Sequence, residues 1–142
     1  MTDSKPFDPV QYEADDAAKH LVIGWLRRRG YEAEVNSDQY GVDVLARRGS
    51  QPYHIEVEVK HAWCGGRFPF DTLHYSARKM RFVTVDPPTY FVTVNDERTM
   101  MLVVSGAALL RAEVITKDTI YTSGERFVSI PIAFARLRSL TD

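Results

Sequence analysis

Residues 41–63 read GVDVLARRGSQPYHIEVEVKHAW. Two short apolar runs flank a Gly/Ser/Pro segment, the pattern of two strands joined by a turn. The spacing predicts strands over 42–47 and 53–60, with the turn over 49–52. Acids interrupt both runs: Asp43 in the first, Glu56 and Glu58 in the second, with Lys60 two residues on. An antiparallel hairpin centred near Ser50 and Gln51 sets Asp43 opposite Glu58 and Leu45 opposite Glu56. Val42, Val44 and Ala46 then share an apolar face with Ile55, Val57 and Val59. The other face carries Asp43, Glu56, Glu58 and Lys60. A one-residue slip would part the acids from each other.

Before the hairpin, residues 10–29 repeat apolar side chains at helical steps: Ala14, Ala17, Ala18, Leu21, Val22, Trp25 and Leu26. Asp8 is placed to cap this helix and Pro9 suits its first turn. Arg27, Arg28 and Arg29 followed by Gly30 form a stop signal. Residues 31–36 predict a strand. Beyond the hairpin, AWCGGRFPFD reads as a loop and 72–83 as a second helix, with Leu73, Ala77, Met80 and Phe82 inward. DPPT ends it. Residues 90–95 and 99–104 predict a hairpin, and SGAALLRAEV a short helix from Ser105. One or two short strands follow, around 119–122 and 126–130, before PIAFARLRSL. The order predicts an α/β sandwich around a mixed sheet.

The chain has 142 residues, which points to one domain over 1–142, with 1–9 polar and loose. A hydrophobic share of 44% is enough for a core without metal or disulfide staples. The single cysteine, Cys64, excludes an internal disulfide and fits a reducing compartment. No run approaches a membrane span, and MTDSKPFDPV lacks the apolar stretch of a secretory signal. A cytoplasmic protein is the expectation. A formal net charge of −1 gives no overall attraction to nucleic acid. Such binding would have to come from local clusters: Arg27, Arg28 and Arg29; Arg47 and Arg48; Arg78, Lys79 and Arg81; Arg136 and Arg138. Each cluster alone reads as a solvated face.

Three carboxylates a few ångströms apart repel one another, and burial raises their pKa values. One lysine does not neutralise three acids, whereas a divalent cation does, and oxygen ligands suit Mg²⁺ or Mn²⁺. Alternation alone favours a bland reading, an outer solvated face with Lys60 paired to Glu58 or Glu56.

The order of the pieces weighs against that reading. Gly30-Tyr31, then Gly41-Val42-Asp43-Val44-Leu45-Ala46, then Glu58-Val59-Lys60 follow a helix bearing acids. This resembles the PD-(D/E)XK nuclease superfamily, its Holliday-junction-resolvase-like members above all: helix acid, Gly-aromatic step, G-x-D-x-x-A, then E-x-K on the next strand. The resemblance covers about the first half of the chain. It implies a restriction-endonuclease-like α/β/α sandwich with a central mixed β-sheet, and Mg²⁺- or Mn²⁺-dependent hydrolysis of DNA by a homodimer, with branched DNA as the first specific substrate to expect. It implies Asp43, Glu58 and the Val59 carbonyl as metal ligands, and Lys60 as the group that orients the attacking water or offsets charge on phosphorus. Val42 departs from the proline that names the superfamily. The helix acid is Glu13 or Asp16, with Glu13 ranked first for its longer reach. Glu56 has no fixed family role. In such nucleases the helix after the site holds phosphates, which points to Arg78 and Lys79, with Arg47 and Arg48 as further DNA contacts. The alternative is an inactive nuclease-fold module that binds nucleic acid or a protein.

Other side chains read more plainly. His20 sits four residues after Asp16 and pairs with it; His61 points away from the acidic face. His54 lies toward the turn and His74 on the surface of the second helix. Trp25 and Tyr75 read as core, and Trp63 as either a substrate contact or a loop anchor. No zinc spacing, Ser-His-Asp order or phosphate-binding glycine loop is present.

Overall fold

The computed structural model describes residues 8–119 and 123–142. Helix α1 (Pro9–Arg28) begins where its cap signals it: the Asp8 carboxylate accepts the N–H groups of Val10 at 3.0 Å and Gln11 at 3.3 Å. Such a cap is worth about 1 kcal/mol. The helix ends at Gly30, whose φ of +88° favours a residue without a side chain. Ala14, Ala18, Val22, Ile23 and Leu26 form its buried stripe.

β1 (Glu32–Val35), β2 (Val44–Arg48) and β3 (Gln51–Lys60) make an antiparallel meander. The β2–β3 turn is tighter than expected, only Gly49 and Ser50, with Arg48 opposite Gln51 and Leu45 opposite His54. Gly49 has φ +62°, the glycine-first pattern of a two-residue hairpin turn. The register is therefore slipped by two residues from the expected one. Asp43 stands beside Glu56, not Glu58. An even slip preserves the faces, so Ile55, Val57 and Val59 still point together into the core under α1.

The expected helix over 72–83 does not form. Residues Thr72–Ser76 are β4, and 77–82 are a 3-10 turn. Leu73 and Tyr75 are buried while Thr72, His74 and Ser76 are half-buried, a period of two that suits a strand. β5 (Thr89–Asn95) runs parallel to β3, and β6 (Met100–Ser105) returns from it as the expected hairpin. The following helix, α2 (Gly106–Leu109), is a single turn, and β7 (Glu113–Lys117) takes residues expected to continue it. β8 (Glu125–Pro131) matches the strand expected over 126–130. The other short strand, around 119–122, falls mostly outside the described residues. β9 (Arg136–Ser139) closes the chain.

Two sheets result: six strands in the order β1-β2-β3-β5-β6-β9, and three in the order β4-β8-β7. The large sheet is mixed, since β3 and β5 are parallel and the other pairs antiparallel. α1 covers one face. On the other face Trp63, Leu73, Tyr75, Phe91, Leu102, Val104, Leu109, Val128 and Ile130 form a second core, beneath the small sheet rather than a helix. Trp63 is fully buried against Phe68, so it is a loop anchor. Among the described residues no helix is long and apolar enough to cross a membrane.

Candidate active site

β2 pairs with β3 only as far as Val44 opposite Ile55. Beyond that point β3 keeps β5 on one side and has an open backbone edge on the other. Side chains close that edge. The Asp43 carboxylate accepts the Val57 N–H at 2.8 Å, and the Asp15 carboxylate accepts the Val59 N–H at 2.8 Å. Gln11 donates to the Val59 carbonyl at 3.2 Å and to Asp15 at 2.8 Å. Successive β3 side chains alternate, so Glu56, Glu58 and Lys60 leave on the face away from α1.

Glu56 is only 5% exposed and accepts the Asp43 N–H at 3.2 Å. Burial, then the neighbouring Asp43 charge, pushes its pKa up to about 8. Near neutral pH Glu56 therefore holds its proton. Asp15 is also raised, by burial and by Glu58, against the Val59 and Gln11 hydrogen bonds that lower it. Two lysines approach. Lys19, from α1, lies 3.3 Å from Asp43, and Lys79, from the 3-10 turn, lies 3.2 Å from Glu58. Burial alone would lower the Lys79 pKa, but Glu58, Glu56 and Asp43 outweigh it and hold the ammonium above its usual range. Lys79 is thus a permanent cation set among three acids.

The structure distributes the expected site residues unevenly. Asp43, Glu58 and Lys79 come together, joined by Glu56. Glu13 is exposed on α1, and Asp16 pairs with His20 at the surface. The helix acid at the strand edge is Asp15. The Val59 carbonyl is on the open edge but is taken up by Gln11. Lys60 contacts none of the acids; its ammonium lies 5.4 Å from the Phe70 ring centre. Arg78 forms an ion pair with Glu125. Arg47 and Arg48 are exposed at the hairpin tip, four and five residues from Asp43, or about 13–17 Å along the strand. Arg27 and Arg28 donate to the Ala33 and Leu140 carbonyls, so that cluster is structural.

Asp15, Lys19 and Gln11 escaped the sequence reading. The signal was a second helical series, 11, 15 and 19 at four-residue steps, beside the buried stripe of Ala14 and Ala18. Hard carboxylate oxygens gathered at a backbone edge, one of them carrying a proton a cation could displace, fit Mg²⁺ or Mn²⁺. Among the described residues, Cys64, Asp96 and Glu97 are the three whose ligand atoms lie within 4.8 Å of one another; no three of the acids at the β3 edge lie that close together. That group is half-buried at best and has internal partners: His61 meets Asp96 at 2.6 Å, and Gly65 donates to Glu97 at 2.9 Å.

A solved structure, Archaeoglobus fulgidus Hjc, a Holliday junction resolvase from an archaeal hyperthermophile, matches with a TM-score of 0.56. The match covers 84% of this chain and 85% of that one, at 12% sequence identity. No family model matches the chain, and no curated protein matches it. The likeness is one of fold: this chain shares the fold of Hjc, a central mixed sheet flanked by a helix.

Proposed function

We propose that the chain is a divalent-cation-dependent endonuclease that hydrolyses DNA phosphodiester bonds, with branched DNA as its substrate. The observation that carries this reading is the buried Glu56 beside Asp43 at the open edge of β3. Asp43 and Glu56 would hold the cation. The Val57 carbonyl joins them, because it points to the same side of the strand as the Val57 N–H that Asp43 receives. When bound, Mg²⁺ or Mn²⁺ offsets phosphodiester charge and acidifies water.

The remaining residues position the site and supply its ammonium cation. Asp15 and Gln11 fix the backbone at Val59 and so the direction of Glu58. Glu58 holds Lys79, which is positioned to donate to a phosphate oxygen as negative charge develops. Lys79 thereby takes the part that the E-x-K resemblance gave to Lys60. Cutting both strands of a junction calls for two sites, and we place the second on a second copy of the chain. Light scattering of the free protein tests that dimer.

The test of the activity is cleavage of supercoiled, linear, single-stranded and four-way-junction DNA with Mg²⁺, Mn²⁺ or EDTA. Metal-dependent cutting is expected, strongest on the junction, and lost in Asp43→Ala and Glu56→Gln with DNA binding retained. Binding without cutting of any substrate would overturn the enzyme and favour an inactive nuclease-fold binding module. One observation favours that second reading: with Asp43 facing Glu56, the residue two places on is Glu58, where E-x-K has lysine.

A further inference from the structure

Lys60 leaves β3 two residues after Glu58 and on the same face, about 7 Å along the strand. It joins a group on the small sheet. Lys117 of β7 donates to His74 Nδ1 of β4 at 2.9 Å, and His74 Nε2 meets Thr72 Oγ1 at 3.2 Å. A lysine ammonium only donates, so Nδ1 is the acceptor, Nε2 carries the proton and His74 is neutral. Lys60 and Lys117 each stand near an aromatic ring, Phe70 at 5.4 Å and Phe127 at 4.5 Å. Among the described residues neither lysine has a carboxylate in ion-pair reach. The acids nearby are engaged: Glu58 by Lys79, Glu125 by Arg78 and Ser76.

The charges oppose one another. Burial, Lys117 and Lys60 lower the His74 pKa; burial and then Lys60 lower that of Lys117, and Glu125, across from it on β8, offsets them only in part. A bound anion would relieve the repulsion that the chain otherwise carries. β4 connects this group to the acids, since Ser76 leads directly into the turn bearing Lys79. The basic group and the acidic cluster thus occupy neighbouring stretches of one wall.

We propose that Lys60 and Lys117, supported by His74 and flanked by Phe70 and Phe127, form a subsite for a backbone phosphate of the DNA strand that runs past the acidic cluster. Along β3, Lys60 stands four residues from Glu56, about 13 Å, or about two phosphate steps of one strand. Phe70, exposed beside Lys60, offers a ring edge or face to the adjoining nucleotide. The subsite rests on DNA as the substrate, and it gives Lys60 a binding part outside the chemistry.

The test is the salt dependence of DNA affinity in EDTA, read by fluorescence anisotropy on a four-way junction and on a single strand. Wild type is compared with Lys60→Gln, Lys117→Gln and, at the far edge of the large sheet, Arg138→Gln. Each lysine variant is expected to reduce the slope of log K against log salt by ~0.7 to 0.9, the loss of one phosphate contact. Arg138→Gln should leave it unchanged, and all variants should melt at or above the wild-type temperature within error. Wild-type slopes in both lysine variants would overturn the subsite even if the protein cuts DNA. Reduced slopes without cutting in Mg²⁺ would leave the subsite standing and remove the enzyme. Inorganic phosphate binding lost in the variants, with DNA slopes unchanged, would assign the site to a free anion and overturn the DNA assignment.

Discussion

At the scale of single residues, Glu56 governs the site. Its folded pKa, about 8, lies above the unfolded value of 4.5, so the folded chain binds the extra proton between these values. Stability therefore falls as pH rises from about 4.5 through 8 and is flat above that. Glu56→Gln keeps the shape without the charge and should flatten the slope, with a higher melting temperature than wild type at pH 8. Thermal melts from pH 5 to 9 check it; parallel slopes in the two proteins would remove Glu56 as the source. A cation competes with that proton, so Mn²⁺ affinity should rise with pH over the same window. Lys79 makes a separable prediction. Lys79→Met removes a cation from among the acids, so Mn²⁺ should bind more tightly by calorimetry while cleavage falls by at least about 10²-fold. Lys60→Met should leave Mn²⁺ affinity alone. The alternation that put Glu56, Glu58 and Lys60 on one face was legible, because side-chain direction in a strand is a local property. Which lysine reaches the acids was not, because Lys79 arrives from a segment 21 residues beyond Glu58.

At the scale of elements, the β2–β3 turn sets the site. Two loop residues in place of four move Glu56, not Glu58, beside Asp43. Gly49→Val would force a β-branched side chain into φ +62° and should cost about 1–2 kcal/mol in urea unfolding. It should also weaken Mn²⁺ binding, since the register positions both proposed ligands; a stability loss with unchanged Mn²⁺ affinity would detach the turn from the site. The glycine was visible in the sequence, but Pro52 drew the turn too long. The segment 72–83 failed for a related reason. Leu73, Ala77 and Met80 fit a helical spacing, yet Leu73 and Tyr75 fit a strand equally, and a short window cannot separate the periods. Pairing with β8 decides for the strand. Tyr75 then reaches Thr93 of β5, with 2.6 Å between the hydroxyls. Tyr75→Phe should cost about 1–2 kcal/mol in urea unfolding, because Thr93 is left buried without that partner.

At the scale of the molecule, the large sheet carries two cores, and the acids and bases meet beside the second. Trp63 anchors the loop between them, and Trp63→Ala should cost about 3–5 kcal/mol in urea unfolding. Because the small sheet forms one wall of the site, that loss should be accompanied by weaker DNA binding in EDTA; a destabilised protein with wild-type affinity would separate the wall from the substrate. By itself the sequence determined α1 with its cap and stop, the β2–β3 and β5–β6 hairpins, the apolar face under α1 and the acidic face opposite it. These follow from local period, turn chemistry and the alternation of a strand. Only the tertiary structure decided that Asp15 rather than Glu13 meets the strand edge, that Lys79 stands among the acids, and that Lys60 turns to Lys117. Each of those depends on how a helix or a second sheet lies across the first, and that placement is fixed by burying both cores together.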